Sequence, residues 1–301
     1  MPFHTFARRT VLGLICAVAA MPAAAQDRPV VAVANYPLAY FAERLGNGAV
    51  DVFFAVPADV DPSFWRPGIS DIAAIQAADV IALNGAGFAT WPTKASLPRS
   101  RTVDTSAGFA DRLIKTETVT HSHGEGGEHS HTATASYTWL DFGLAMAQAQ
   151  VLADAMTRQM PAQADEIAAQ AEALLSDLAA LDARAAVIGG AAAGKAVIAA
   201  HPRYQYFGAA YDLAISAVEW DAQAGPDEAQ WAALEAMIAD TGAGLFIWEA
   251  EPSAASRDRM ARLGMIDVVF PPLANSPADG DFLGQMTASL DQLEAALQQL
   301  P

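Results

Sequence analysis

His121, His123, His129 and His131 bring four of the chain's six histidines into eleven positions, with Glu125 and Glu128 between the two His-Ser-His pairs. Neutral imidazole is the commonest protein ligand for zinc, nickel and copper. Gly124, Gly126 and Gly127 make the segment easy to bend and give it nothing to pack into a core. Such a cluster points to capture of a metal ion rather than to catalysis. The alternative is a solvated polar insertion, but no folding requirement calls for four histidines in such a place.

The elements around this loop alternate. Val30 to Ala34, Val50 to Val56 and Val80 to Leu83 read as short buried strands. Leu38 to Leu45 and Ile72 to Ala77 read as helices, the second capped by Ser70-Asp71. After the loop, Leu140 to about Leu181 is one long helical zone, and Pro161 inside it predicts two helices or a kink. Ile167, Leu174, Leu178 and Leu181 fall at helical spacing and read as a core-packing stripe. Strand and helix signals then alternate again. Strands are expected at Ala196–Ala200, Ala214–Trp220, Leu245–Trp248 and Asp267–Phe270. Helices are expected at Tyr206–Tyr211, Asp227–Asp240, Ser253–Leu263 and Asp281–Leu300. The expected class is α/β, with two Rossmann-like lobes joined by a long backbone helix and a ligand cleft between them. The expected boundaries are a signal segment 1–25, a first lobe 26–139 carrying the loop 120–132, connecting helices 140–185 and a second lobe 186–301.

Arg8-Arg9, the apolar run Val11 to Met21 and Pro22-Ala23-Ala24-Ala25 have the parts of a cleavable export signal, with the paired arginines fitting a twin-arginine type. The apolar run is short of the about 20 residues a membrane span needs. Cys16 inside it raises a lipoprotein alternative, which the bulky Ile15 disfavours. Cleavage would remove the only cysteine, so a metal would have to be held by His, Asp or Glu. The full chain carries 17 Lys+Arg against 34 Asp+Glu, a net charge of −17. Losing Arg8 and Arg9 leaves 15 against 34, or −19. That acidity argues against nucleic acid and anionic lipid as partners. With no mature thiol, no Gly-x-Ser-x-Gly elbow and no phosphate loop, enzyme classes built on those motifs are excluded.

The order of motifs resembles the periplasmic metal-binding proteins of ABC importers for zinc and manganese, the cluster A-I solute-binding proteins. Asp61-Pro62-Ser63-Phe64-Trp65-Arg66-Pro67, followed by Ser70-Asp71, is similar to that family's Asp-Pro-His segment and helix start. Asn84-Gly85-Ala86-Gly87 resembles its Asn-Gly-x-Gly turn, and Trp139-Leu140-Asp141 the opening of its backbone helix. His201-Pro202-Arg203-Tyr204-Gln205-Tyr206-Phe207 resembles its His-x-x-Tyr-x-Tyr-Phe strand end. An acidic, His-rich loop before Trp-Leu-Asp is typical of the zinc importers. The resemblance implies a periplasmic, monomeric binding protein that hands Zn²⁺ to a membrane permease. A periplasmic metal chaperone is a further implied partner, and Mn²⁺, Ni²⁺ and Cu²⁺ are alternative ions.

The ligand positions depart from that pattern. The family holds its metal with three histidines and an acid, or two of each. Here Ser63, Tyr137 and Pro271 stand at three of the four places, and only His201 is kept. A lone histidine falls short of the about four ligands zinc takes. Glu249 and Glu251, at i and i+2 after the Leu245–Trp248 strand, are candidate replacements because alternate strand residues share a face. The loop histidines 121, 123, 129 and 131 are the other candidates, closing over His201. A tyrosine reference pKa of ~10 makes Tyr137 a packing or hydrogen-bonding residue before a ligand. Ser63, Trp65, Tyr137 and Tyr204 are expected to line the cleft. Two other readings stay open: a zinc sequestration or transfer protein working through the loop with a silent cleft, and a binder of a metal chelate or another small solute.

Overall fold

The computed structural model describes residues 28–117, 132–220 and 225–300. The expected signal segment and the histidines 121–131 lie outside them. The order is β1 (Val30–Val33), α1 (Tyr36–Gly46), β2 (Asp51–Phe53), α2 (Ile69–Ala77), β3 (Val80–Leu83), β4 (Thr102–Asp104), β5 (Lys115–Glu117), β6 (Thr132–Thr134) and α3 (Phe142–Gln159). Then come α4 (Ala164–Ala191), β7 (Ala196–Ala199), α5 (Gln205–Tyr211), β8 (Ala214–Ala217), α6 (Glu228–Thr241), β9 (Leu245–Trp248), α7 (Ala254–Arg262), β10 (Ile266–Val269) and α8 (Phe282–Leu297).

Two parallel four-stranded sheets result, ordered β2-β1-β3-β4 and β10-β9-β7-β8. The expected α/β class with two lobes and a long connecting helix is the observed one. Local chemistry explains the helix ends. Asn35 caps α1 by accepting from the Leu38 amide, and Asn47 closes it in the left-handed region. Asp141 and Asp281 cap α3 and α8 in the same way. At α2 the cap is Gly68, not Ser70: Asp71 reaches back to the Gly68 amide. The long helical zone is two helices, because Met160 before Pro161 leaves the helical region (φ −127°, ψ 61°).

Two features escape the periodicity. β4 is three residues with no alternation to mark it, and it completes the edge of the first sheet. β5 and β6 form an antiparallel pair, Glu117 opposite Thr132, so the chain leaves for the histidine segment and returns from it at adjacent positions. Among the described residues no helix is long and apolar enough to cross a membrane.

With 28 residues, α4 runs roughly 42 Å at 1.5 Å per residue. Its Ile167, Leu174, Leu178, Leu181 and Ile188 share one buried cluster with Val31 and Val80 of the first sheet and Val197 and Leu245 of the second. Near its C-terminus Gly189 lies under α5. A Cβ there would come within 1.9 Å of the Tyr211 carbonyl oxygen, while one at the neighbouring Gly190 would meet nothing within 4 Å. Gly→Ala gains up to about 1 kcal/mol of helix propensity. A clash with a backbone atom costs about 1–3 kcal/mol, because the backbone cannot swing aside as a side chain can. Gly189→Ala should therefore lower stability by ~1–2 kcal/mol and Gly190→Ala should raise it by ~0.5–1 kcal/mol. Urea unfolding of the two variants checks this, and equal shifts in midpoint would contradict it.

Candidate functional site

Parallel strands carry their ligand-facing residues just beyond their carboxyl ends. β7 and β9 are neighbours in the second sheet, Ala199 opposite Ile247, and the Ala200 amide continues the ladder to the Ile247 carbonyl at 2.8 Å. The next residues out are His201 after β7 and Glu249 after β9. From the first lobe, the loop after β2 brings Asp61 to meet them.

Arg203 joins the two sides. Its Nη1 donates to Asp61 Oδ2 at 2.8 Å, and its Nε lies 2.8 Å from Glu249 Oε1. The guanidinium stands over the Tyr137 ring, with Cζ 4.8 Å from the centroid, a cation–π arrangement. Ser63 holds Asp61 from the other side. Its backbone amide and its hydroxyl both donate to Asp61 Oδ1, at 2.8 and 2.7 Å. Tyr137 Oη lies 3.5 Å from Asp61 Oδ2, at the outer edge of a hydrogen bond. The Arg203 and Glu249 side chains are 14% and 8% exposed, so this is a charge cluster withdrawn from water.

A cavity of 910 Å³ opens onto the cluster, lined by Asp61, His201, Arg203, Glu249 and Glu251, with Phe64, 76% exposed, beside them. Asp59, Glu219 and Asp279 add negative charge to its wall. Pro271, at the place of the family's late acid, lines it too.

The predicted site residues are distributed unevenly. His201 and Glu249 stand together at the strand ends. Glu251 also reaches the cavity, but it is 74% exposed and its carboxylate pairs with Arg257 at 2.7 Å. The shared-face argument for Glu249 and Glu251 fails because β9 ends at Trp248, and the alternation ends with it. Ser63 and Tyr137 sit behind Asp61 and Arg203 and support the ion pairs rather than line the cavity. Trp65 is not a cleft residue. It packs edge-on against Trp91 inside the first lobe, 6.1 Å between rings. Tyr204 is buried in the second lobe, where its hydroxyl donates to the Phe270 carbonyl. The four loop histidines lie outside the described residues.

Two residues of the charge cluster, Asp61 and Arg203, are not among the expected site residues. Asp61 stands inside the Asp-Pro motif, and Arg203 occupies a variable place in His-x-x-Tyr. The available signal was the rarity of cations: a basic residue two places after a strand-end histidine, in a chain with twice as many acids as bases. Among the described residues no group of three or more His, Cys, Asp or Glu stands together as a metal cage.

Burial dominates the Glu249 carboxyl. Loss of hydration pushes its pKa up to about 7 from 4.5; Arg203 pulls it back and Asp61 adds to the rise. The folded value lies above the unfolded one. The stability from this group is therefore fully present below pH 4.5 and is lost as pH rises through about 7. A Glu249→Gln variant lacks that titration. The Tm of the unsubstituted protein minus that of Glu249→Gln should fall by a few degrees between pH 5 and pH 8. Thermal unfolding at the two pH values tests this, and a pH-independent difference would refute it.

Comparison with known proteins adds the family. The model of the family "Zinc-uptake complex component A periplasmic" matches residues 31–296. No curated protein matches the sequence. Among solved structures, the metal-dependent lipoprotein YcdH of Bacillus subtilis is similar with a TM-score of 0.75 and 21% identity, over 89% of this chain and 99% of that one. The Zn(II)-bound ZnuA-like domain of Streptococcus pneumoniae AdcA is similar with a TM-score of 0.74 and 18% identity, over 90% and 100%. FpvC of P. aeruginosa in complex with Ni²⁺ is similar with a TM-score of 0.72 and 20% identity, over 90% and 97%. At these identities the structures establish a shared fold, and the family model, spanning nearly all of the described chain, establishes descent. The chain belongs to the zinc-uptake complex component A family.

Proposed function

We propose that the protein is an extracytoplasmic solute-binding protein that captures a divalent metal, zinc first, and delivers it to the membrane permease of an ABC importer. The observation that carries this is the placement of His201 and Glu249 just beyond the ends of adjacent strands, both lining one cavity between the lobes, in a chain of this family. Its role is binding rather than catalysis. Structures of the same fold hold Zn(II), Ni²⁺ and Mn²⁺, which supports a metal as cargo without choosing among them. Imidazole ligands favour zinc over manganese, and nickel and copper(II) remain competitors on ligand chemistry.

In this reading His201 and Glu249 supply the cleft's first ligands, with Glu251 as a second carboxylate. His121, His123, His129 and His131 complete the coordination from the loop. The return strand β6 ends at Thr134, three residues before Tyr137 at the ion-pair cluster, which supports delivery of the loop to this side of the cleft. Export by the N-terminal signal, a monomeric state and a periplasmic metal chaperone as further partner belong to the same reading.

One observation favours a second reading. A cavity of 910 Å³ far exceeds a bare ion, and Phe64 gives it an exposed aromatic surface. A metal chelate or another small organic solute would fit that space.

Zinc titration calorimetry on the mature protein, on a variant lacking 121–131 and on His201→Ala separates the readings. The expected result is weaker but surviving binding after the deletion and loss of the tight site in His201→Ala. Complete loss on deletion, with His201→Ala unaffected, would make the loop the working site. No tight zinc site in any form would favour the organic solute. Histidine ligands must be neutral, so zinc affinity should also fall as pH drops below ~6.5.

A further inference from the structure

The cleft already contains a cation. Arg203 presents its guanidinium donors in a fixed planar fork. That fork engages one carboxylate from each lobe: Asp61 from the loop after β2 and Glu249 from the end of β9. Both oxygens of Asp61 are committed, Oδ1 to Ser63 and Oδ2 to Arg203. The Tyr137 ring supports the guanidinium from below, so three neighbours hold it in place. An ion seeking His201 and Glu249 meets this positive charge at the carboxylate it needs. At short range between partly buried groups such repulsion is large, because little water screens it.

We propose that Arg203 is a specificity-determining residue: an internal counter-cation that occupies the Asp61 and Glu249 carboxylates, so that a bare divalent ion binds the cleft only by displacing it. The inference rests on the reading of His201 and Glu249 as metal ligands. It assigns Arg203 a role that the family resemblance does not supply, since the position is a variable one in the motif. A neutral side chain of similar length would remove the positive charge from the cleft and leave Asp61 and Glu249 without their cation, so an incoming ion would meet net negative charge. Lysine would keep the charge while losing the fork.

The test uses the full mature chain with His121, His123, His129 and His131 replaced by alanine, so that only the cleft binds. Zinc affinity is measured by calorimetry for this parent, for Arg203→Met and for Arg203→Lys. The expected result is at least tenfold tighter zinc binding in Arg203→Met, affinity within threefold of the parent in Arg203→Lys, and loss of the gain when His201→Ala is added to Arg203→Met. Circular dichroism melts establish folding, and Arg203→Gln replaces Arg203→Met if the latter fails to fold. Zinc binding in Arg203→Met no tighter than in the parent would overturn the inference while leaving cleft capture intact. Absence of zinc binding in the parent and in all Arg203 variants would overturn both.

Discussion

A single guanidinium, shared between Asp61 and Glu249, sets the relation of the two lobes at the cleft. Charges this far from water are costly unless paired, and removing one partner of a buried pair typically costs about 3–5 kcal/mol. Two neighbours are arranged so that this group stays satisfied. Ser63 turns Asp61 toward it, and Tyr137 gives it an aromatic floor. Other bonds between the lobes reinforce the arrangement. Trp139 Nε1 donates to the Pro272 carbonyl at 2.7 Å, and the Asn275 amide reaches the carbonyls of Pro57 and Val60.

The architecture makes that meeting possible. Parallel sheets send their strand ends to one side, and the order β10-β9-β7-β8 makes His201 and Glu249 neighbours although 48 positions separate them in the chain. Beneath the first lobe's side of the cleft lies a polar hub. Asn84, after β3, accepts from Asn35 and Gln148 and donates to the Ser136 carbonyl. This fixes the stretch that carries Tyr137 and Trp139. A buried polar network with its members paired specifies one arrangement more sharply than apolar packing alone. The metal chemistry suggested by the family must work within this frame, where the nearest carboxylates already have a partner.

Much of the fold was legible because its signals are local. Short apolar runs marked β1, β3, β7 and β9, and Pro161 marked the break between α3 and α4, while the cap expected at Ser70-Asp71 falls at Gly68, with Asp71 reaching back to it. What escaped was set by tertiary contact. β4 is a strand because an edge of β3 was open to it, and its own residues hardly announce it. Trp65 looked like a cleft aromatic by position, yet the apolar interior of the first lobe claimed it. Glu249 was legible as a strand-end acid, but its burial and its partner were not, since Asp61 and Arg203 reach it from 188 and 46 positions away in the chain. A charge cluster of this kind has no sequence period. It exists only when separate elements converge.

The helix α4 has a further consequence. Its buried stripe belongs to a core that takes side chains from both sheets at once, so each lobe borrows part of its interior from the same strut. Neither lobe owns a complete core that could be lifted out and grafted onto a different partner. Substitutions at the loops that end the strands leave this shared interior intact, while exchange of one lobe for another would cut through it.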